Sequence, residues 1–102
     1  MESEYIYHIT SQAEWENAKK NNEYFPVNYQ VDGFIHCSIE RQIPGVLERF
    51  YQGQKNLVKL KIEKEKVNRP VLFELAHDIN ELFPHIYGSL NIDAVVAVES
   101  IS

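Results

Sequence analysis

One cysteine, Cys37, is all the chain carries, which excludes an internal disulfide and a zinc site built from several thiolates, and fits a reducing compartment. No apolar run approaches the length that spans a bilayer. The opening Met1-Glu2-Ser3-Glu4 is acidic where a signal peptide is basic and then apolar, so the expected residence is cytoplasmic and away from membranes. Cations are in the minority as well: 10 Lys and Arg against 15 Asp and Glu give a formal net charge of -5. Nucleic acid, whose phosphates need clustered lysine and arginine, is therefore not an expected partner, whereas a small anionic ligand held by a few local groups is. Gly-rich phosphate loops, H-E-x-x-H and G-x-S-x-G are absent, which removes the common cofactor and hydrolase signatures. There is no internal repeat, low-complexity tract or long charge run. At 102 residues, with 44% apolar and 25% charged residues, positions 1–102 read as one globular domain around one core.

What the chain does have is histidine in apolar company. Gly33-Phe34-Ile35-His36-Cys37-Ser38 places an imidazole, a thiol and a hydroxyl on consecutive positions of a short strand-forming run. His36 and Ser38, two residues apart, share one side of a strand and Cys37 takes the other. Facing a cleft, that side offers a titratable ring beside a hydroxyl. Tyr5-Ile6-Tyr7-His8-Ile9-Thr10 and Phe83-Pro84-His85-Ile86-Tyr87-Gly88 repeat the pattern. Singly, each ring reads as a strand residue bonded to a backbone carbonyl; together, the three point to a shared site. His77 sits in a polar loop context and reads as surface.

Along the chain, Tyr5–Ile9 reads as a first strand. Ser11 and Glu14 form an S-x-x-E start for a helix over Gln12–Lys20, with Trp15 as its core anchor beside Ala18 and Lys19, and Asn21-Asn22 as its end. Glu23–Gln30 has no clean period and contains Pro26, so it reads as an aromatic loop bordering a pocket. Gly33–Ser38 is the second strand, after which Ser38 is placed to cap a turn. A helix beginning at Pro44 and running to Tyr51 or Gln52 buries Leu47, Phe50 and Tyr51 and stops at Gly53. Leu57–Ile62 alternates, with Val58, Leu60 and Ile62 on one side and Lys59 and Lys61 on a wet one. Val67–Pro70 is a turn, and Val71–Leu75 a strand with Glu74 as its only polar member. Ile86–Leu90 and Ala94–Ile101 follow, the latter valine-rich and expected to be central. About six strands and two helices on short connections predict an α+β fold with an antiparallel or mixed sheet.

The Tyr7-His8-Ile9, Trp15, GFIHCS, Phe73-Glu74 and FPHIYG segments, in this order and across nearly the whole chain, resemble a bacterial family catalogued as domain of unknown function number 952. That family is similar in fold to the ADP-ribosyltransferases, in which two small sheets clasp the nicotinamide end of NAD. The resemblance implies that His8 contacts the adenosine-side ribose, and that His36 and Ser38 hold the nicotinamide ribose or a phosphate. Its two-histidine pattern is similar to that of the RNA 2′-phosphotransferases, although the acidic chain has no arginine in any histidine motif and RNA does not fit it. The glutamate of the classical toxins has no residue-by-residue counterpart; Glu74 and His85 are the candidates for that role. Tyr24, Tyr87 or Phe34 could stack on a nicotinamide ring.

The expected activity is an NAD- or ADP-ribose-utilising transferase or glycohydrolase with His8, His36, Glu74 and His85 at its centre and NAD as cofactor. A non-catalytic nucleotide-binding module stands beside it. A metal site made of the three histidines, with or without Cys37, is not expected, because their spacing matches no short metal motif and Cys37 alternates away from His36.

Overall fold

The computed structural model describes residues 4–27 and 29–101; Met1–Ser3 of the acidic start, Asn28 of the aromatic segment and Ser102 lie outside it. The chain runs β1 (Tyr5–Ser11), α1 (Gln12–Asn21), β2 (Glu23–Tyr24), α2 (Tyr29–Asp32), β3 (Ile35–His36), α3 (Ile43–Phe50), β4 (Leu57–Glu63), β5 (Val71–Ala76), β6 (Glu81–Ile86), β7 (Leu90–Asn91) and β8 (Val95–Ser100). Three 3₁₀ turns, Glu40–Gln42, Lys64–Lys66 and Ile92–Ala94, fill the connections. The strands make three small antiparallel sheets, ordered β1-β4-β8, β2-β7 and β3-β6-β5. The fold is therefore α+β, with more and shorter strands than the six expected and a third sheet beyond the expected two. Among the described residues, no helix is long and apolar enough to cross a membrane.

Side-chain alternation explains how the first sheet serves two cores. On one face Ile6, Val58, Leu60 and Ile62 join Trp15, Ala18, Tyr24, Ile35, Cys37, Ile86, Leu90 and Ala94. On the other, Tyr7, Ile9 and Leu57 meet Ile43, with Leu47 and Tyr51 of the α3 region packed against them. The face carrying Lys59 and Lys61 is thus only half wet: the two ammonium groups lie over the rings of Tyr7 and Tyr5 at 5.6 and 4.3 Å. A single bridge between Tyr7 and Ser38, bonded both ways at 2.7 Å, ties β1 to the end of the β3 segment. The first and third sheets are thereby fixed to each other at the point where the histidines gather.

Local signals are mostly realised. Ser11 is the N-cap of α1: its Oγ accepts from the Glu14 amide at 3.1 Å and donates to the Glu14 carboxylate at 3.3 Å. Asn22 closes the helix in the left-handed region at φ 62°, and Trp15 is buried as its anchor. Lys19, expected on the same face, is instead exposed and paired with Glu16. Gly33 and Gly53 turn the chain at φ +80° and +82°.

Several expectations need correction. The valine-rich β8 is an edge strand beside β4, with Val96 and Val98 open on its margin. The strand expected at Ile86–Leu90 lies earlier, at Glu81–Ile86, and takes Pro84 through the centre of its sheet. Proline is tolerated there because its carbonyl accepts the Cys37 amide at 3.0 Å. In a strand, N and C=O of one residue point to the same side, so the missing N–H of Pro84 also faces the β3 side, one step past the end of β3. The aromatic segment is more ordered than a loop, supplying β2 and α2. Ser38 does not cap the following turn; Ile39 is its N-cap residue, and the Ile39 amide donates to the Gln42 side-chain carbonyl at 3.0 Å. Phe50, expected in the buried stripe of α3, is 59% exposed, while Ile43 takes the buried place.

Candidate functional site

His8 lies on β1 and is 5% exposed. Nδ1 is 2.6 Å from the main-chain carbonyl of His36, and Nε2 is 2.8 Å from the Tyr24 hydroxyl, which is itself 3.0 Å from Thr10 Oγ1. A carbonyl only accepts, so the proton of the neutral ring sits on Nδ1 and Nε2 accepts from Tyr24. Burial pushes the imidazole down to about 4, against a smaller upward pull from the His36 carbonyl, and the ring is neutral at physiological pH. Both nitrogens are occupied within the protein, which leaves none for the ribose contact expected of His8. Tyr24, 2% exposed and in the main core, likewise offers no ring face for stacking; burial also raises its hydroxyl pKa.

The other two histidines behave differently. His36 on β3 and His85 on β6 are direct register partners, and their rings meet edge to face with centroids 5.2 Å apart. His36 is open, with its side chain 60% exposed, and Nε2 lies 3.1 Å from Asp32 Oδ2 at the end of α2. His85 is more enclosed, and Nδ1 lies 2.7 Å from Glu74 Oε1 across the β5–β6 ladder. Tyr87 donates its hydroxyl to the same Glu74 oxygen. Those two bonds, that of Tyr87 first, hold the Glu74 carboxyl below the usual carboxylate range, so it is ionised and fixes the Nδ1–H tautomer of His85. Phe34 is stacked on His85 at 4.0 Å and 20°, and touches His36 and Tyr87 at 4.7 and 5.3 Å.

An open cleft of about 780 Å³ runs between the β1 and α3 side and the β5–β6 hairpin, and both His36 and His85 line it. Ser38, Thr10, Asp32, Tyr51 and Phe83 contribute to its walls. The face of β5–β6 turned this way follows from the strand period: Glu74, Ala76, Phe83 and His85 are on one side, Phe73, Pro84 and Ile86 on the other. Phe34, Glu74 and Tyr87 contact the histidines without lining the cleft.

Residues 9–98 match the family described as "Protein of unknown function (DUF952)". The chain belongs to this family. It is also similar to the solved structures of protein CC0527 from Caulobacter crescentus, at 31% identity over 96% of this chain. The crystal structure superposes with a TM-score of 0.88 and the crystal structure of a double mutant with 0.87, each with 86% of that chain covered. The solution NMR structure gives 0.82, with 84% covered. No curated protein matches the chain.

In this DUF952 protein the structure therefore brings together His36, His85, Glu74, Phe34 and Tyr87, with Ser38 in the same cleft, while His8 and Tyr24 line its floor as buried groups bonded to each other. Cys37 is buried in the main core at the back of the cleft, with its thiol pushed up by burial, in keeping with a small buried hydrophobe. Among the described residues, no three His, Cys, Asp or Glu side chains converge on a point that could hold a metal. His77 is exposed on the β5–β6 turn. Asp32, Arg49 and Asp78 belong to the cleft and were not singled out in the sequence. Asp32 lies four residues before His36, but the Gly33 turn separates α2 from β3, so no helical or strand period relates them, and Arg49 sits on an otherwise ordinary amphipathic helix.

Proposed function

We propose that this protein is an NAD- or ADP-ribose-utilising transferase or glycohydrolase whose chemistry is carried by His36, His85 and Glu74. The observation that carries the reading is the pair of register-matched histidines, each held on one nitrogen by a carboxylate, lining a cleft whose volume suits a nucleotide. The resemblance to ADP-ribosyltransferases supplies the ligand class.

In that reading the bond from the ribose C1′ to nicotinamide breaks with its electron pair leaving on nicotinamide, and an acceptor oxygen bonds to C1′. Glu74 holds the Nδ1–H of His85, so the opposite nitrogen, Nε2, is the lone pair that takes the acceptor's proton. His36, oriented by Asp32, binds ribose hydroxyl or phosphate, and Ser38 offers a further hydroxyl in the same cleft. Most of the rate would come from positioning and from electrostatic stabilisation of the oxocarbenium-like centre. Of the three stacking candidates, Phe34 and Tyr87 retain accessible surface beside the histidines.

A second reading, a nucleotide-binding module without turnover, is favoured by one observation. Glu74 Oε1 accepts from both Tyr87 and His85, where a catalytic glutamate would keep that oxygen for substrate. One set of measurements separates the two: NMR titration of the imidazole and amide signals with NAD and ADP-ribose, followed by a nicotinamide-release assay on wild type and His85→Gln. Shifts at Phe34–Ser38 and His85 with nicotinamide release abolished in His85→Gln are expected of the enzyme. The same shifts without release identify the binding module, and unmoved spectra at millimolar NAD and ADP-ribose overturn both.

A further inference from the structure

The wall of the cleft opposite the histidines has a chemistry of its own. Among the described residues lining the cleft, Arg49 is the only lysine or arginine. It reaches from the last turn of α3 to Asp78 at the tip of the β5–β6 hairpin. Beside it Phe50 lines the same cleft while 59% exposed, with the Arg49 guanidinium carbon 4.9 Å from its ring centroid. A phenylalanine left this open on an amphipathic helix, next to the sole cation of a cleft, is what a ligand with a planar ring and an anionic group would use.

The ion pair is not the hairpin's only tie to the α3 side. The tip end of the hairpin is also held by other bonds: Gln42 Nε2 donates to Glu81 Oε1 at 3.1 Å and to the Leu82 carbonyl at 2.9 Å, and Arg41 pairs with Glu81 at 3.0 Å. Asp78 is 67% exposed, so its hold on Arg49 is that of a solvated surface pair, easily exchanged. Arg49 can accordingly give up Asp78 without releasing the hairpin.

We infer that Arg49 and Phe50 form the phosphate- and ring-binding subsite of this cleft, with Asp78 as an internal stand-in that a phosphate displaces from Arg49. This rests on the reading of the cleft as a nucleotide site, and adds to it which wall takes the anionic end: the phosphate lies on α3, and the opposite end of the ligand reaches the His36–His85 pair. Phosphate is preferred to a lone carboxylate because a guanidinium freed from Asp78 presents a fork of donors to two oxygens, while Phe50 supplies the stacking face that a nucleoside carries alongside its phosphate.

The test is calorimetric titration of the full chain with pyrophosphate, AMP and adenosine, with the Arg49 Nε–Hε signal followed by NMR. AMP is expected to bind about tenfold or more tightly than adenosine, the difference a charge-assisted bond makes. Arg49→Gln should abolish that difference and the pyrophosphate binding. Asp78→Asn should tighten both anions, because the competitor for Arg49 has lost its charge. Phe50→Leu should weaken AMP and adenosine and leave pyrophosphate alone. All three side chains are at the surface of the cleft, and unchanged unfolding midpoints confirm that the variants are folded. Pyrophosphate and AMP that leave Arg49 unshifted, or that bind Arg49→Gln as well as wild type, overturn the inference. ADP-ribose that shifts His36 and His85 with Arg49 unmoved overturns the subsite alone. AMP that engages Arg49 while NAD and ADP-ribose leave both histidines unshifted keeps the subsite and overturns the NAD-type reading.

Discussion

His8 donates its Nδ1 proton to the main-chain carbonyl of His36 at 2.6 Å, so the first histidine of the chain fixes the backbone from which the second is presented. The two belong to different sheets, and this bond, with the Tyr7–Ser38 bridge beside it, holds those sheets in register at the cleft. His8 is thereby a positioning residue, with both ring nitrogens taken up inside the protein, whereas His36 is open and His85 presents a free Nε2 to the cleft.

Replacing His8 by Ala should therefore act on stability before it acts on anything else. It removes a buried ring, opens a cavity among Tyr24, Thr10 and the His36 carbonyl, and leaves that carbonyl without its side-chain partner and the Tyr24 hydroxyl with Thr10 alone. A loss of about 3 kcal/mol is expected from cavity and orphaned polar groups together, read from urea unfolding. A variant as stable as wild type would show that the ring does not hold the two sheets.

Glu74→Gln tests the other histidine. The carboxylate selects the Nδ1–H tautomer of His85 and also holds Tyr87. Long-range 15N–1H NMR should report Nδ1 protonated and Nε2 bare in the wild type, and a mixture of the two tautomers in Glu74→Gln, whose amide can donate as well as accept. Because Glu74 is a surface group, the unfolding midpoint should hardly move. A wild-type spectrum dominated by the Nε2–H tautomer would remove the basis for assigning His85 as a base.

Cys37 gives a prediction about what does not react. Buried beside Ile35 and Ile86, and with its thiol held in the neutral form by burial, it should be inert to a disulfide reagent at pH 8 in the native state and stoichiometrically reactive in urea. Rapid native labelling would place the thiol at the cleft surface instead.

The α+β class, the start and stop of α1, and the alternation of β4 were legible because each rests on neighbouring residues: a cap at Ser11, a left-handed Asn22, the Val58-Leu60-Ile62 period. The histidine motifs were legible for the same reason, as polar groups out of place in apolar runs. What was not legible depends on residues far apart in sequence. That β8 is an edge strand is set by which strand stops beside it, and valine content does not carry that information. Pro84 hid β6, because a proline argues against a central strand until Cys37 is known to be its last partner on that side. His8 and His36 read alike in sequence and differ in the fold, because the burial of His8 is completed by Tyr24, from a segment that has no period at all.

The buried state of His8 also predicts how stability varies with pH. Its ring titrates at about 4 in the folded protein, against 6.5 for an unperturbed histidine such as the unfolded chain presents. Between those values the unfolded state binds the proton and the folded state does not, so acid favours unfolding: the contribution is complete above pH 6.5 and is lost as pH falls towards 4. The gap corresponds to about 3 kcal/mol, an order-of-magnitude figure. Glu74 and Glu81, whose carboxyls are held below their usual range by Tyr87 and His85 and by Gln42 and Arg41, act in the same direction but only below the ordinary carboxylate pKa of 4.5. The interval from pH 6.5 to 5 therefore sets the imidazoles apart from the carboxylates, and comparison with His8→Gln singles out His8 among the four histidines. Urea unfolding across it should show stability rising with pH in the wild type and a flatter profile in His8→Gln, which keeps a donor for the His36 carbonyl but does not titrate. Parallel profiles for the two proteins would mean that His8 is protonated, or open to water, in the native state.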